Sequence, residues 1–223
     1  MVARYTRARM IGYSLFLIII SSLMTVLCYH VFVFNTFATN DNQTQAFQEL
    51  PAGQIIDSPI AEDNSIIEVM SYGCHYCAAN EENLTEFAKQ LPAGATFRSI
   101  HITDEANGLA AFASVFATLE VMGIEEKYRD SAYNAVITRN INLSEPQALD
   151  AWLKKNDIDL AKFKRAQKSA EVKQRLDNMA SITKFYKINA TPMFIINKRY
   201  IVAQDREFPE FAQRMKQLLE KDK

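Results

Sequence analysis

Two cysteines, Cys74 and Cys77, follow directly on the apolar run Ile66-Ile67-Glu68-Val69-Met70, with two residues between them. Thiols at this spacing fit one turn of a helix, where they can close a small disulfide ring and reopen it by exchange. Ser65 to Ser71 reads as a strand buried on both faces, and Tyr72-Gly73 as the turn into a helix reaching about Gln90. A helix N-terminus carries about half a positive charge, which favours a thiolate at Cys74 and lowers the pKa of its thiol. Cys77 lies one turn deeper and is shielded. Cys74 is therefore expected to be the attacking or attacked sulfur, and Cys77 the resolving thiol.

Three neighbours bear on this chemistry. His75 either stabilises the thiolate when protonated or, exposed beside Tyr76, tunes the fit of a substrate. Glu68 is out of place in an apolar strand, because an unpaired buried carboxylate is costly. It either shuttles the proton of Cys77 from beneath the site or faces solvent on a partly exposed strand. Cys-x-x-Cys is also half of many zinc sites, but zinc needs four ligands. The sequence offers no second cysteine pair and no His-x-His, so no metal is expected.

The rest of the chain must position and address this site. Arg4, Arg7 and Arg9 precede a stretch from Met10 to Phe34 free of Asp, Glu, Lys and Arg. A bilayer span takes about 20 apolar residues as a helix. Residues 10–34 are thus expected to form an uncleaved transmembrane signal anchor, with 1–9 as its cytoplasmic basic flank. The alternative is a removed signal peptide, for which Thr36-Phe37-Ala38 is the best cleavage candidate. Either way the remainder is exported, to the periplasm if the source is bacterial, where disulfides persist. Cys28 and His30 fall in this segment and read as membrane-depth filler.

Residues 35–53, rich in Asn, Thr and Gln up to Gln48, read as a tether, with Gln54-Ile55-Ile56 as a short edge strand. The domain proper is expected over 54–223. Thr96 to Ile102 alternates as a second strand, in which His101 is a packed residue rather than a base. About 104–187 is helical throughout, with a capping-box start at Ser144-Glu145-Pro146-Gln147 and a further helix opened by Asp157. Thr191-Pro192 then leads a strand, because proline cannot donate within a ladder and belongs at a strand's first residue. Asn197-Lys198 turns it into a hairpin, and an amphipathic helix runs from about Glu207 to Lys221. A formal net charge of −1, mildly acidic once the anchor arginines are set aside, excludes the large basic surface that a nucleic-acid partner requires. Three cysteines are too few for a disulfide-stapled scaffold.

Strand, Cys-x-x-Cys helix, strand, helical block, Thr-Pro hairpin and closing helix resemble, over residues 54–222, the DsbA family of exported thiol:disulfide oxidoreductases. The resemblance implies an α/β thioredoxin-like fold with an inserted helical subdomain, here preceded by an N-terminal transmembrane helix. It implies that Glu68 matches the family's buried acid, that Cys74 and Cys77 are its redox pair with no other cofactor, and that Thr191-Pro192 is its cis-proline loop. His75-Tyr76 departs from the family's usual Pro-His, and Thr before the proline is commoner in the related isomerases. Three functions follow. The first is a periplasmic oxidase acting on unfolded or reduced exported proteins, reoxidised by a DsbB-like quinone-coupled membrane protein. The second is an isomerase or reductase fed by a membrane electron donor. The third is a redox-inactive peptide-binding chaperone.

Overall fold

The computed structural model describes residues 2–29, 47–103 and 108–221. The chain divides into two compact units, Met1–Gln43 and Thr44–Lys223. In the first, helix α1 (Val2–Cys28) exposes Leu15, Phe16, Leu17, Ile18 and Ile19 among other large apolar side chains. Two of its hydroxyls bond the helix backbone, Ser14 donating to the Met10 carbonyl and Thr25 to that of Ser21. Among the described residues, no helix is long and apolar enough to cross a membrane. The expected span of 10–34 continues past Tyr29 into residues outside the described ones, as does most of the expected tether.

The second unit is built on a five-stranded sheet of order β1-β5-β4-β2-β3. Its strands are β1 (Phe47–Glu49), β2 (Ser65–Met70), β3 (Thr96–His101), β4 (Met193–Ile196) and β5 (Tyr200–Ala203). Of the four neighbouring pairs only β2–β3 is parallel, and α3 (His75–Lys89) makes the crossover between them. Side chains alternate across the sheet. Ile66, Phe194, Ile196, Tyr200 and Val202 face one core with Leu84 and Phe87 of α3 and Phe211 and Met215 of α9 (Phe208–Glu220). Ile67, Val69, Ile195 and Ile201 face the other, with the helical insertion. Coverage of both faces explains why β2 is buried at every position and reads as a near-continuous apolar run.

The insertion holds a 3-10 turn (Leu109–Phe112), α4 (Ala113–Val121), α5 (Glu125–Tyr133) with a π-helical stretch (Asn134–Thr138), α6 (Pro146–Lys155), α7 (Leu160–Gln167) and α8 (Ala170–Phe185). Several local expectations are corrected. The edge strand is Phe47–Glu49, paired with β5, while residues 52–55 form one turn of helix, α2 (Ala52–Ile55), instead of a strand. Helix α6 has no capping box: Pro146 at its start makes Glu145 the cap, and Ser144 bonds Asn142 instead. Asp159 caps α7, its carboxylate accepting from the Lys162 amide, while Asp157 sits before it in a left-handed turn. Asn197 and Lys198 both take positive φ in a tight turn closed by the Arg199 amide on the Ile196 carbonyl, within the three residues that separate the paired Ile196 and Tyr200.

Phe194 is fully buried at the centre of the sheet, with its ring centroid 5.0 Å from that of Phe211. Phe194→Ala should cost about 3–5 kcal/mol in denaturant unfolding, since a cavity remains where the ring was. Ile56→Ala, at a site 84 % exposed, should change stability by less than about 0.5 kcal/mol.

Candidate active site

The turn between β2 and α3 is held by hydrogen bonds from both sides. Ser71 Oγ accepts from the Gly73 amide and donates to the Leu109 carbonyl, while the Cys74 amide donates to the Ser71 carbonyl. The Tyr72 amide donates to Nε2 of His101 at 3.2 Å, and Nδ1 of His101 lies 2.8 Å from the Ile102 carbonyl. Those partners fix the imidazole as the neutral tautomer with its proton on Nδ1. Burial pushes its pKa down to about 4. His101 is therefore a packed strand residue that also braces the active-site turn, a role its place in the sequence did not disclose. Gly73 lies under Phe112 and Leu109, where a side chain would meet both in ordinary contact.

Cys74 is the N-cap of α3, and its sulfur accepts from the Cys77 amide at 3.0 Å. The two cysteines are joined as a disulfide. Cys74 is 5 % exposed and Cys77 fully buried, so of the two residues only Cys74 reaches the surface. His75 and Tyr76 between them point outward, Tyr76 being 76 % exposed. The far end of the insertion returns here. Met193 of β4 pairs with Val69 of β2, which brings Thr191-Pro192, joined by a cis peptide bond, to the strand end that carries the cysteines. The Thr191 hydroxyl is buried without a hydrogen-bond partner. Asn80 on α3 bonds Gln204 after β5, tying the helix to the hairpin.

Glu68 lies in β2 between Ser99 of β3 and Phe194 of β4, and is fully buried. The solvent-facing alternative is thereby excluded. Ser99 Oγ donates to Oε2 at 2.7 Å, while Oε1 is buried without a partner. Burial dominates its ionisation and raises its pKa to about 7, against the opposing bond from Ser99. The group thus changes charge near neutrality, as a proton carrier must. Around it stands a charged cluster that sequence reasoning missed. Arg129 of α5 pairs with Glu81 of α3 at 2.8 Å and with Glu125, whose Oε1 also accepts from the Tyr72 hydroxyl at 2.8 Å. One signal was available, since Glu81 stands one helical turn after Cys77 and Glu125 one turn before Arg129. Burial pushes both the Tyr72 hydroxyl and the Glu81 carboxyl up. Among the described residues, no group of three His, Cys, Asp or Glu side chains is placed to hold a metal.

The Glu68 shift has a consequence for stability. Between about pH 4.5 and 7 the folded chain binds the Glu68 proton and the unfolded chain has lost it, so stability falls as pH rises through that window. His101 acts oppositely between about 4 and 6.5, where the unfolded imidazole is the more protonated. Glu68→Gln should isolate the first effect. The variant should unfold at higher denaturant than the parent at pH 8, by roughly 2–4 kcal/mol, and the gain should vanish near pH 4. Paired urea titrations at the two pH values check this.

A family model described as the DSBA-like thioredoxin domain matches residues 65–216. Among curated relatives, the thiol:disulfide interchange protein DsbA of Azotobacter vinelandii is 28 % identical over 145 residues, covering 64 % of this chain and 67 % of the relative. That of Burkholderia cepacia is 25 % identical over 154 residues, 69 % of this chain and 72 % of the relative. The solved structure of Pseudomonas aeruginosa DsbA superposes with a TM-score of 0.71 at 21 % identity, over 79 % of this chain and 92 % of that one. The oxidoreductase NmDsbA1 of Neisseria meningitidis gives 0.65 at 22 % identity, over 80 % and 92 %. The order of strands, the cysteine pair at the α3 cap and the inserted helices agree with that match, and the chain belongs to the DSBA-like thioredoxin domain family.

Proposed function

We propose that this thiol:disulfide oxidoreductase works as an oxidase, introducing disulfides into exported proteins through Cys74 and Cys77. The observation that carries the reading is the placement of Cys74 as the helix cap, with the Cys77 amide donating to its sulfur. An amide and a helix N-terminus stabilise a thiolate more than a disulfide sulfur, so they favour the reduced enzyme and make the disulfide a good oxidant.

The reaction balances as follows. A substrate thiolate attacks the Cys74 sulfur, the Cys74–Cys77 bond breaks, and Cys77 leaves as a thiolate that takes a proton. Glu68, protonated below neutrality, supplies it. The second substrate thiolate then attacks the substrate sulfur of the mixed disulfide and releases Cys74 as a thiolate held at the helix cap. Two electrons have passed from the substrate dithiol to the enzyme. A DsbB-like membrane protein removes them, with Glu68 taking back the Cys77 proton. Tyr76 and the Thr191-Pro192 loop flank Cys74 and contact the substrate chain, while His75 beside it tunes the thiolate. Thr191 favours a second reading, isomerase or reductase, because that residue precedes the proline more often in isomerases.

The chain also carries its own address. Residues 10–34 hold the domain at the bacterial inner membrane as a single span, with 1–9 in the cytoplasm and the domain beyond the tether in the periplasm. This rests on the uncharged stretch Met10–Phe34 and on the exposed apolar surface of α1, which water alone does not favour.

Cys77→Ser should accumulate a mixed disulfide with reduced client protein, visible on non-reducing gels, and Cys74→Ser should form none. The reduction potential of the parent should lie near about −120 mV; a value near about −270 mV would move the protein to the reductase class. In membranes washed with alkaline carbonate, the full chain should stay in the pellet, and a chain starting at Thr44 should be soluble. Release of the full chain by the wash would remove the anchor.

A further inference from the structure

The exchange reaction uses Glu68, yet it leaves unused the charges packed around that acid. Arg129 is the centre of them. Its side chain is 12 % exposed, and its nitrogens are committed to partners on three elements. Nε lies 3.0 Å from both oxygens of Glu125 on α5, and Nη2 also bonds that carboxylate. Nη1 lies 2.8 Å from Glu81 Oε1 on α3 and 3.4 Å from Ser99 Oγ on β3. Ser99 is the residue that donates to Glu68. The guanidinium is thus linked through one hydroxyl to Glu68, and through one carboxylate to the helix turn that follows Cys77.

Other titratable groups border the cluster: Asp130 of α5 acts on Glu81, and Glu120 of α4 feels Glu125 and Arg129. The turn after β2 presents the Tyr72 hydroxyl, bound to Glu125, and α5 presents the buried Tyr133 hydroxyl, which has no partner. From β4 comes only Phe194. On α9, Arg214 lies over Phe47 and Lys216 over Phe87. Within the cluster itself, the carboxyls of Glu68, Glu81 and Glu125 share one cation, Arg129. When Glu68 gives its proton to Cys77, a second unpaired negative charge would arise in this buried cluster, and Arg129 is the group placed to offset it.

We propose that Arg129, contributed by the helical insertion, is a positioning residue for disulfide exchange: with Glu125 and Glu81 it fixes the charge that Glu68 meets as it passes a proton to and from Cys77. The inference rests on the reading of Glu68 as the proton carrier. Its sign follows from the charges. After burial and the Ser99 bond, Glu81 and Glu125 hold the Glu68 proton on and Arg129 draws it off. Removing the cation should make Glu68 a stronger base, and neutralising either neighbouring acid a weaker one.

The test is the pH profile for closure of a mixed disulfide preformed between Cys74 and glutathione, in which Cys77 must lose its proton. The parent should show an inflection near pH 7 that Glu68→Gln abolishes. Arg129→Met should move it up by about one pH unit, Glu125→Gln should move it down by a comparable amount, and Arg129→Lys should restore it to within about half a unit. A purely structural role for Arg129 predicts no such opposition of sign. An inflection lost in Glu68→Gln but unmoved, or moved the same way, in Arg129→Met and Glu125→Gln overturns the inference and leaves the Glu68 reading intact. An inflection that survives Glu68→Gln overturns both. Should Arg129→Met fail to fold by circular dichroism, Glu125→Gln and Arg129→Lys decide: an unmoved Glu125→Gln profile, or a shifted Arg129→Lys one, overturns the proposal.

Discussion

A carboxylate in the middle of a sheet that is covered on both faces has no access to water, and its ionised form must find compensation inside the protein. Glu68 occupies that position. Its neighbours across the ladder are Ser99 and Phe194, and only Ser99 has a proton to offer. The surroundings answer with a charge brought from elsewhere in the chain, the guanidinium of Arg129, and with the acids that hold that guanidinium in place. A buried ion pair is weak evidence of stability, since desolvation offsets most of the attraction. Here the cluster gathers the acids of α3 and α5 around one guanidinium that also reaches Ser99, the partner of Glu68.

The same cluster explains why the helical insertion is more than a lid. Tyr72, two residues before Cys74, is held by its amide to His101 and by its hydroxyl to Glu125. Ser71 is held to Leu109 at the start of the insertion. Sheet and insertion therefore grip the active-site turn from opposite sides, and the backbone that presents Cys74 is fixed before any substrate arrives. Preorganisation of this kind lets the helix N-terminus act on the sulfur without reorganising.

Much of this was legible in residue order. A Cys-x-x-Cys at a strand-to-helix junction, a Thr-Pro before a buried strand and an amphipathic closing helix carry local physics: thiol spacing, the missing proline donor and side-chain periodicity. The strand at residues 47–49 was not legible, because three residues have too little pattern to set against a polar surround. The caps of α6 and α7 were misplaced by one or two residues, since Pro146 and the left-handed Asp157 shift the first turn in ways the capping pattern alone does not encode.

By itself, the sequence determined the cysteine pair, its disulfide chemistry and the thioredoxin-like order of elements, because each is carried by motifs and periodicities local in the chain. Only the tertiary structure decided that Glu68 is fully buried, that His101 braces the turn, and that Arg129 reaches Ser99, the hydroxyl that donates to Glu68. Those facts join positions 31, 29 and 30 residues apart. Local spacing carries no information about which of several acids and bases a folded interior will bring within hydrogen-bond distance.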